Sequence, residues 1–180
     1  IELDFNDEHK LKEQLLQHSF DYVVHAAGVT KCLNKADFFK TNSKGTRHLV
    51  NAILDLAMPV KRFVFISSLS ILGPIREEEP HTDITDSDTP QPNTAYGKSK
   101  LEAEDYLRSV ADRLPFIILR PTGVYGPREK DYFMMAESIK KHVDFAVGYK
   151  RQDITFIFVS DVVQAVFLAL TNGKTGSSYI

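Results

Sequence analysis

The sequence has a single cysteine, Cys32, in 180 residues. One thiol excludes an intrachain disulfide and a cysteine-rich zinc site, and the composition suits a reducing cytoplasm. No apolar run reaches the ~20 residues of a membrane span, and Ile1-Glu2-Leu3-Asp4 has none of the features of a signal peptide. Charge of one sign is also missing. A formal net charge of -2 gives no electrostatic reason to expect nucleic acid or an anionic membrane surface as partner. There is no internal repeat and no low-complexity tract. The nine glycines, at 28, 45, 73, 97, 123, 126, 148, 173 and 176, include no three in a Gly-x-x-Gly-x-x-Gly turn, so the chain lacks the glycine-rich cradle that presents backbone N–H groups to a phosphate. What it does have is 43% hydrophobic content, enough to bury a core as one domain.

Strand and helix patterns alternate along the chain. Ile1-Glu2-Leu3-Asp4 reads as the tail of a strand, and Asn6 or Asp7 caps a helix to about His18 with Leu11, Leu15 and Leu16 inward. Tyr22 to Gly28 reads as a short buried strand ending in small residues. Asn34 to Met58 predicts one long helix, with Phe38, Phe39, Leu49, Ile53 and Leu56 available for packing, closed by Pro59. Arg62 to Ser68 is an apolar, β-branched and aromatic run ending in two serines, and Phe116 to Leu119 is a second such run leading into the loop Arg120 to Pro127. Between them lies a polar loop with Gly73, Pro74, Glu77, Glu78, Glu79, Pro80, Pro90 and Pro92, its acidic triplet most simply a solvated turn. Thr94 is placed to cap a helix carrying Leu101 and Leu107 toward the sheet. Farther on, Tyr132 to Lys141 predicts a helix, Asp153 to Phe158 a strand, and Ser160 to Leu170 a helix capped by Ser160 or Asp161. Such regular alternation implies a parallel sheet with right-handed crossovers.

The stretch around which this pattern is organised is Tyr96-Gly97-Lys98-Ser99-Lys100. On a helix, Tyr96 and Lys100 stand one turn apart on the same face. A lysine cation about 4 Å from a phenol, at an effective dielectric of ~20, favours the phenolate by ~4 kcal/mol before desolvation. That predicts a tyrosine pKa lowered by roughly two or three units from ~10, into the range of a general acid/base. Ligands of open parallel sheets bind beyond the carboxyl ends of the strands. Ser68, the Tyr96 helix and the Pro121 loop are therefore expected to converge there.

His25-Ala26-Ala27-Gly28, Asn42 with Gly45-Thr46, Ser67-Ser68 with Gly73, Tyr96 to Lys100, and Arg120-Pro121 with Tyr125-Gly126-Pro127 occur in an order and spacing that resemble the extended short-chain dehydrogenase/reductase, or NAD-dependent epimerase/dehydratase, family. The resemblance runs from about residue 1 to residue 170. It implies an α/β fold: a partial Rossmann-like doubly wound parallel sheet with helices on both faces over residues 1–127, and over residues 128–180 part of a small substrate lobe with a returning helix. It implies Ser68, Tyr96 and Lys100 as catalytic residues, with Asn42 in support through the local backbone or a proton-relaying water. Ser68 is taken over Ser67 because the family's hydroxyl precedes the glycine matched by Gly73 by five positions, and Ser70 is expected to assist. NAD or NADP is the implied cofactor. Asp4 and Phe5 match the pair that meets the adenine, Ala26, Ala27 and Gly28 match residues that line the adenine ribose and diphosphate, and Pro121, Thr122 and Val124 line the nicotinamide. Tyr96, Lys100 and Ser67 also count among the cofactor-binding positions, Ser67 being chiefly structural. No metal site is expected. His25 is read as core or supporting packing, and Lys31 as a solvated side chain.

The implied chemistry is hydride transfer at a hydroxyl or carbonyl carbon of a small-molecule substrate. Two activities stay open: a nucleotide-sugar epimerase or dehydratase, and a ketone/alcohol oxidoreductase of the 3β-hydroxysteroid dehydrogenase and dihydroflavonol reductase kind. Gly123 stands where nucleotide-sugar members often carry an asparagine, which weakens the first, and a non-catalytic dinucleotide-sensing protein ranks below both. The resemblance also implies a homodimer paired through the Asn34–Met58 helix and the Tyr96 helix. Because the glycine-rich segment is absent, the N-terminal two strands and most of a third, roughly 60 residues, are expected to precede this chain, and more of the substrate lobe to follow Ile180. Without that cradle the chain alone is expected to be inactive; turnover equal to that of a full-length parent would refute this.

Overall fold

The computed structural model describes residues 3–74, 82–143 and 154–180. Ile1, Glu2, the acidic triplet with Pro80, and Asp153 fall outside these. Helix α1 (Glu8–Leu15) starts at Asp7, whose carboxylate accepts from the Lys10 N–H, so Asp7 and not Asn6 is the cap. Leu11 and Leu15 are buried on one stripe, while Leu16 lies just past the helix and is exposed, contrary to the sequence expectation. Strand β1 (Tyr22–His25) is shorter than expected, and Ala26 to Gly28 leave it as irregular backbone. Among the described strands β1 pairs only with β2 (Arg62–Ile66), which is why Tyr22 and Val24 remain exposed and only His25 is buried.

The expected long helix is broken into three parts. A four-residue helical turn α2 (Lys35–Phe38), capped by Asn34, enters a π-helical segment at Phe39–Lys44, which continues as α3 (Gly45–Asp55). Within the π segment Asn42 and Ser43 are buried, and the Thr46 hydroxyl donates to the Asn42 carbonyl at 2.6 Å. The widened turn brings a polar amide inward where a regular stripe would carry an apolar residue, and such turns recur at functional sites. Pattern reading assumes one period throughout, so it missed this interruption.

Helix α4 (Ala95–Ser109), capped by Thr94 through Gly97 N–H, precedes strand β3 (Phe116–Leu119). Its inward stripe is Lys100, Ala103, Glu104 and Leu107; Leu101 is only half-buried. Strand β4 (Gly123–Tyr125), within the expected loop, pairs in parallel with β5 (Phe156–Phe158) as a separate small sheet. Helix α5 (Asp131–Lys140) lies between them in sequence, its first N–H groups held by Glu129, and α6 (Val159–Thr171) follows β5. Neither Ser160 nor Asp161 caps α6: the cap position is Phe158, and both polar residues sit in the first turn. There the Asp161 charge still favours the helix dipole. The chain ends on β6 (Ser178–Tyr179), unforeseen from its sequence, which adds to β3. The main sheet has the order β1-β2-β3-β6 and every pair is parallel.

Side-chain alternation divides the core by face. Phe63 and Phe65 of β2 and Phe116 and Ile118 of β3 join Leu11, Leu15, Leu49, Ile53, Ala103 and Leu107 from α1, α3 and α4. Val64, Ile117 and Leu119 point the other way onto Ala169 and neighbours of α6. The sheet is thus doubly wound, and the carboxyl ends of β1, β2 and β3 share one rim. At that rim α4 comes close to the 3-10 turn Leu69–Ile71: a Cβ on Gly97 would lie 2.5 Å from the Ser70 carbonyl oxygen. Gly97→Ala should therefore destabilise by about 1–3 kcal/mol through overpacking, although alanine is the better helix former. Urea unfolding tests the sign, and a stabilised G97A variant would show that α4 is free to shift.

Candidate functional site

A cleft of about 860 Å³ opens at the rim, between the ends of β1, β2 and β3, the N-terminal turn of α4 and the β4–α5 region. Its lining includes Ala26, Gly28, Ser67, Ser68, Tyr96, Lys100, Pro121, Thr122 and Val124 among the expected site residues. Asp4, Phe5, Ala27 and Asn42 do not line it. Asp4 accepts from the Asn6 N–H, and Phe5 packs on the His25 ring while its carbonyl meets His48.

Ser68 ends the β2 run in extended conformation, and its hydroxyl accepts from the Ser70 N–H at 3.2 Å. It also stands close enough to Tyr96 to draw the pKa of the phenol down. Two hydroxyls from segments far apart in sequence thus meet in the cleft. Ser70, another lining residue, has a buried hydroxyl without a hydrogen-bond partner among the described residues. A buried unpaired hydroxyl is costly unless something fills its bond.

Lys100 is 4% exposed, its ammonium donating to the Ile66 carbonyl at 2.9 Å and standing 4.9 Å from the Phe65 ring centre. Burial lowers its pKa to about 8, opposed by the Glu104 carboxylate. The sequence argument expected this cation to lower the Tyr96 pKa. Instead burial raises it, opposed by Ser68 and reinforced by Tyr132. Desolvation of the phenol dominates, and the ammonium makes its contacts instead to a carbonyl and a ring face. The chain by itself therefore holds Tyr96 as a neutral proton donor.

Asn42 acts behind the wall. Its amide donates to the Val29 carbonyl and the Ser99 hydroxyl and accepts from the Val29 N–H, tying the β1 loop to α4. Gly28 is pressed against this arrangement, since a Cβ there would stand 3.0 Å from Asn42 Oδ1 and 3.2 Å from Lys100 Nζ. Ser67 is 3% exposed and donates to Glu104 Oε1 at 2.6 Å. Glu104 is fully buried and also receives Arg120 through two N–H groups, Nε at 3.1 Å and a terminal nitrogen at 2.8 Å. Sequence reading gave no role to Glu104 or Tyr132. The available signal for Glu104 was its i+4 spacing from Lys100 on the inward stripe. Lys31, read as solvated, pairs at 2.5 Å with Asp131 beside the cleft.

A family model described as the NAD dependent epimerase/dehydratase family matches residues 1–180. The chain belongs to this family. It is 28% identical over 191 aligned positions to a dTDP-D-glucose 4,6-dehydratase from Mus musculus, covering 99% of this chain and 52% of the relative. It is 29% identical to a 3 beta-hydroxysteroid dehydrogenase/Delta 5-->4-isomerase of Vaccinia virus (strain Ankara), over 79% of this chain and 43% of that protein. Among solved structures it resembles RMD from Pseudomonas aeruginosa complexed with NADPH, with TM-score 0.83, 26% identity, and coverage of 99% of this chain and 64% of that one. The chain spans about half the length of the curated relatives it matches. The family's fold, a parallel sheet flanked by helices, is the one found here. Among the described residues no helix is long and apolar enough to cross a membrane.

The site carries a pH signature through His25. Its ring is buried beneath the β1 end, donates to the Thr46 hydroxyl and stacks on Phe65. Burial, with a smaller effect from the Lys100 charge, lowers its pKa to about 4 from 6.5. Between those values the unfolded chain binds the proton and the native chain does not, so stability rises with pH. It is fully present above pH ~6.5 and lost as pH falls toward 4, by on the order of 3 kcal/mol. Urea midpoints at pH 7.5 and 5.0 should drop less in His25→Gln than in the parent; equal drops would assign the acid sensitivity elsewhere.

Proposed function

We propose that the full-length protein is an NAD(P)-dependent enzyme that transfers hydride at a hydroxyl or carbonyl carbon, acting as a nucleotide-sugar epimerase or dehydratase. The observation that carries the reading is that Ser68, Tyr96 and the buried Lys100 line one cleft. What fits a dinucleotide is the wall itself. Ala26 and Gly28 bring the main chain to the cleft wall, Ser70 has a hydroxyl to spare, and Lys100 spends on Ile66 one of its three N–H donors. Lys100, Pro121, Thr122 and Val124 would hold the nicotinamide-ribose half, and Ala26 and Gly28 the diphosphate and adenine ribose. Asp4, Phe5 and Ala27 would serve the adenosine half, on the resemblance alone.

When bound, the nicotinamide supplies an acceptor or donor of hydride. Tyr96 gives its proton to the substrate oxygen in one direction and takes it back in the other. Ser68 holds that oxygen within reach and stabilises charge developing on it. Lys100 presents a fixed positive charge and binds ribose hydroxyls, while Asn42 holds the Val29 backbone and α4 in register. In an epimerase or dehydratase the oxidation is transient; in a net dehydrogenase it is not.

A second reading, ketone/alcohol oxidation or reduction, draws on Gly123. A Cβ there would meet the Tyr132 hydroxyl at 2.8 Å and Phe156 at 2.9 Å. An asparagine at this position has no room while Tyr132 stands as it does, so a phenol occupies space that nucleotide-sugar members often give to an amide. We further propose residues 1–127 as dinucleotide-binding and catalytic and 128–180 as substrate-binding, a homodimer through α3 and α4, and a cytoplasmic setting.

Tyr96→Phe in the full-length protein should lower turnover by roughly 10²–10⁴-fold while NAD(P) affinity, measured by calorimetry, changes by less than about threefold. The substrates to screen are nucleotide sugars and small ketones. Undiminished turnover in Y96F would exclude the assigned acid/base role, and an indifferent protein without turnover on either class would favour a dinucleotide sensor.

A further inference from the structure

Resting on the functional reading above, we infer that Glu104 is a positioning residue whose single carboxylate locks together the three segments that carry the reacting groups. It stands one turn beyond Lys100 on α4, fully buried. One oxygen, Oε1, accepts from Ser67, the neighbour of Ser68, and from Arg120 Nε. The other accepts from Arg120 and from Arg108. Arg120 is itself 3% exposed and immediately precedes Pro121 and Thr122 on the cleft wall. The ends of β2 and β3 and the middle of α4 therefore share one acceptor, and Ser67 and Arg120 each lie next to a lining residue.

The energetics favour a role beyond stability. A buried ion pair is seldom more stable than apolar packing of similar volume, because two desolvation penalties offset the attraction. Here apolar neighbours lie on the same inward stripe of α4, where Ala103 and Leu107 join the core. What a carboxylate adds is direction. Planar, bidentate contact with Arg120 and a short bond from Ser67 fix the strand ends against the helix in angle as well as distance, and reacting groups misplaced by about 1 Å can cost 10²-fold in rate. The charge has a second target. Lys100 is faced by Glu104 from its own helix, by His25 from β1, and by the Phe65 ring and Ile66 carbonyl from β2. Glu104 supplies the opposing charge that keeps the ammonium protonated.

The test uses the full-length protein with its cofactor and three variants. Glu104→Gln keeps the shape and removes the charge, Ser67→Ala removes one bond, and the double variant Glu104→Leu with Arg120→Met replaces the pair by apolar groups without leaving a buried charge. The double variant should unfold at a urea concentration near that of the parent yet lose about 10²-fold in kcat with KM little changed. NMR titration of ¹³C-labelled lysine, with the Lys100 signal assigned by its loss in Lys100→Met, should show that resonance titrating at lower pH in Glu104→Gln, and Glu104→Asp should restore it. A folded double variant with parental kcat, or a Lys100 titration unmoved by Glu104→Gln, overturns the inference. The titration needs no substrate, so its outcome stands apart from any failure of the functional reading.

Discussion

An ammonium group held almost wholly out of water at the rim of a parallel sheet constrains most of what surrounds it. Desolvating a cation costs several kcal/mol even after relaxation, and Lys100 is 4% exposed. Three contacts offset that cost: the Ile66 carbonyl, the face of Phe65 and the field of Glu104. Each comes from a different constraint of the fold. The carbonyl is free because β2 ends there, the ring is present because strand alternation turns Phe65 toward α4, and the carboxylate lies one helical turn away. The offset is incomplete, as the lowered pKa of about 8 records. Titratable groups perturbed in this way cluster at functional sites.

The same burial governs the phenol. Tyr96 was expected to be acidified by its neighbour and is instead held neutral, because desolvation opposes phenolate and the ammonium is engaged elsewhere. Ser68 works against this in part. Behind the cleft the Asn42 amide ties the β1 loop to α4. Close approach at Gly28 and Gly97 lets these segments meet without side chains intervening.

Much of this arrangement is legible in the sequence. Alternating apolar strands and amphipathic helices gave the parallel doubly wound sheet, and serines ending one strand with a Tyr-x-x-x-Lys helix start gave one rim. The misses share a cause. The π segment around Asn42 breaks a period that pattern reading must assume, β4 and β6 are too short to carry a pattern, and Tyr22 and Val24 are exposed because of where β1 lies in the sheet. Leu16 was assigned inward by spacing, yet it falls after the last helical turn.

Local order was determined by the sequence itself. The order of the longer strands and helices, and that Ser68 follows a strand while Tyr96 and Lys100 share the first turns of a helix, follow from periodicity and capping, which act over a few residues. Only the tertiary structure decided the electrostatics: that Lys100 bonds to Ile66, that Tyr96 stays neutral and that Glu104 joins Ser67 to Arg120. The physical reason is that desolvation and Coulomb forces depend on what packs around a group in space, and residues 16 to 37 positions apart in the chain supply those neighbours.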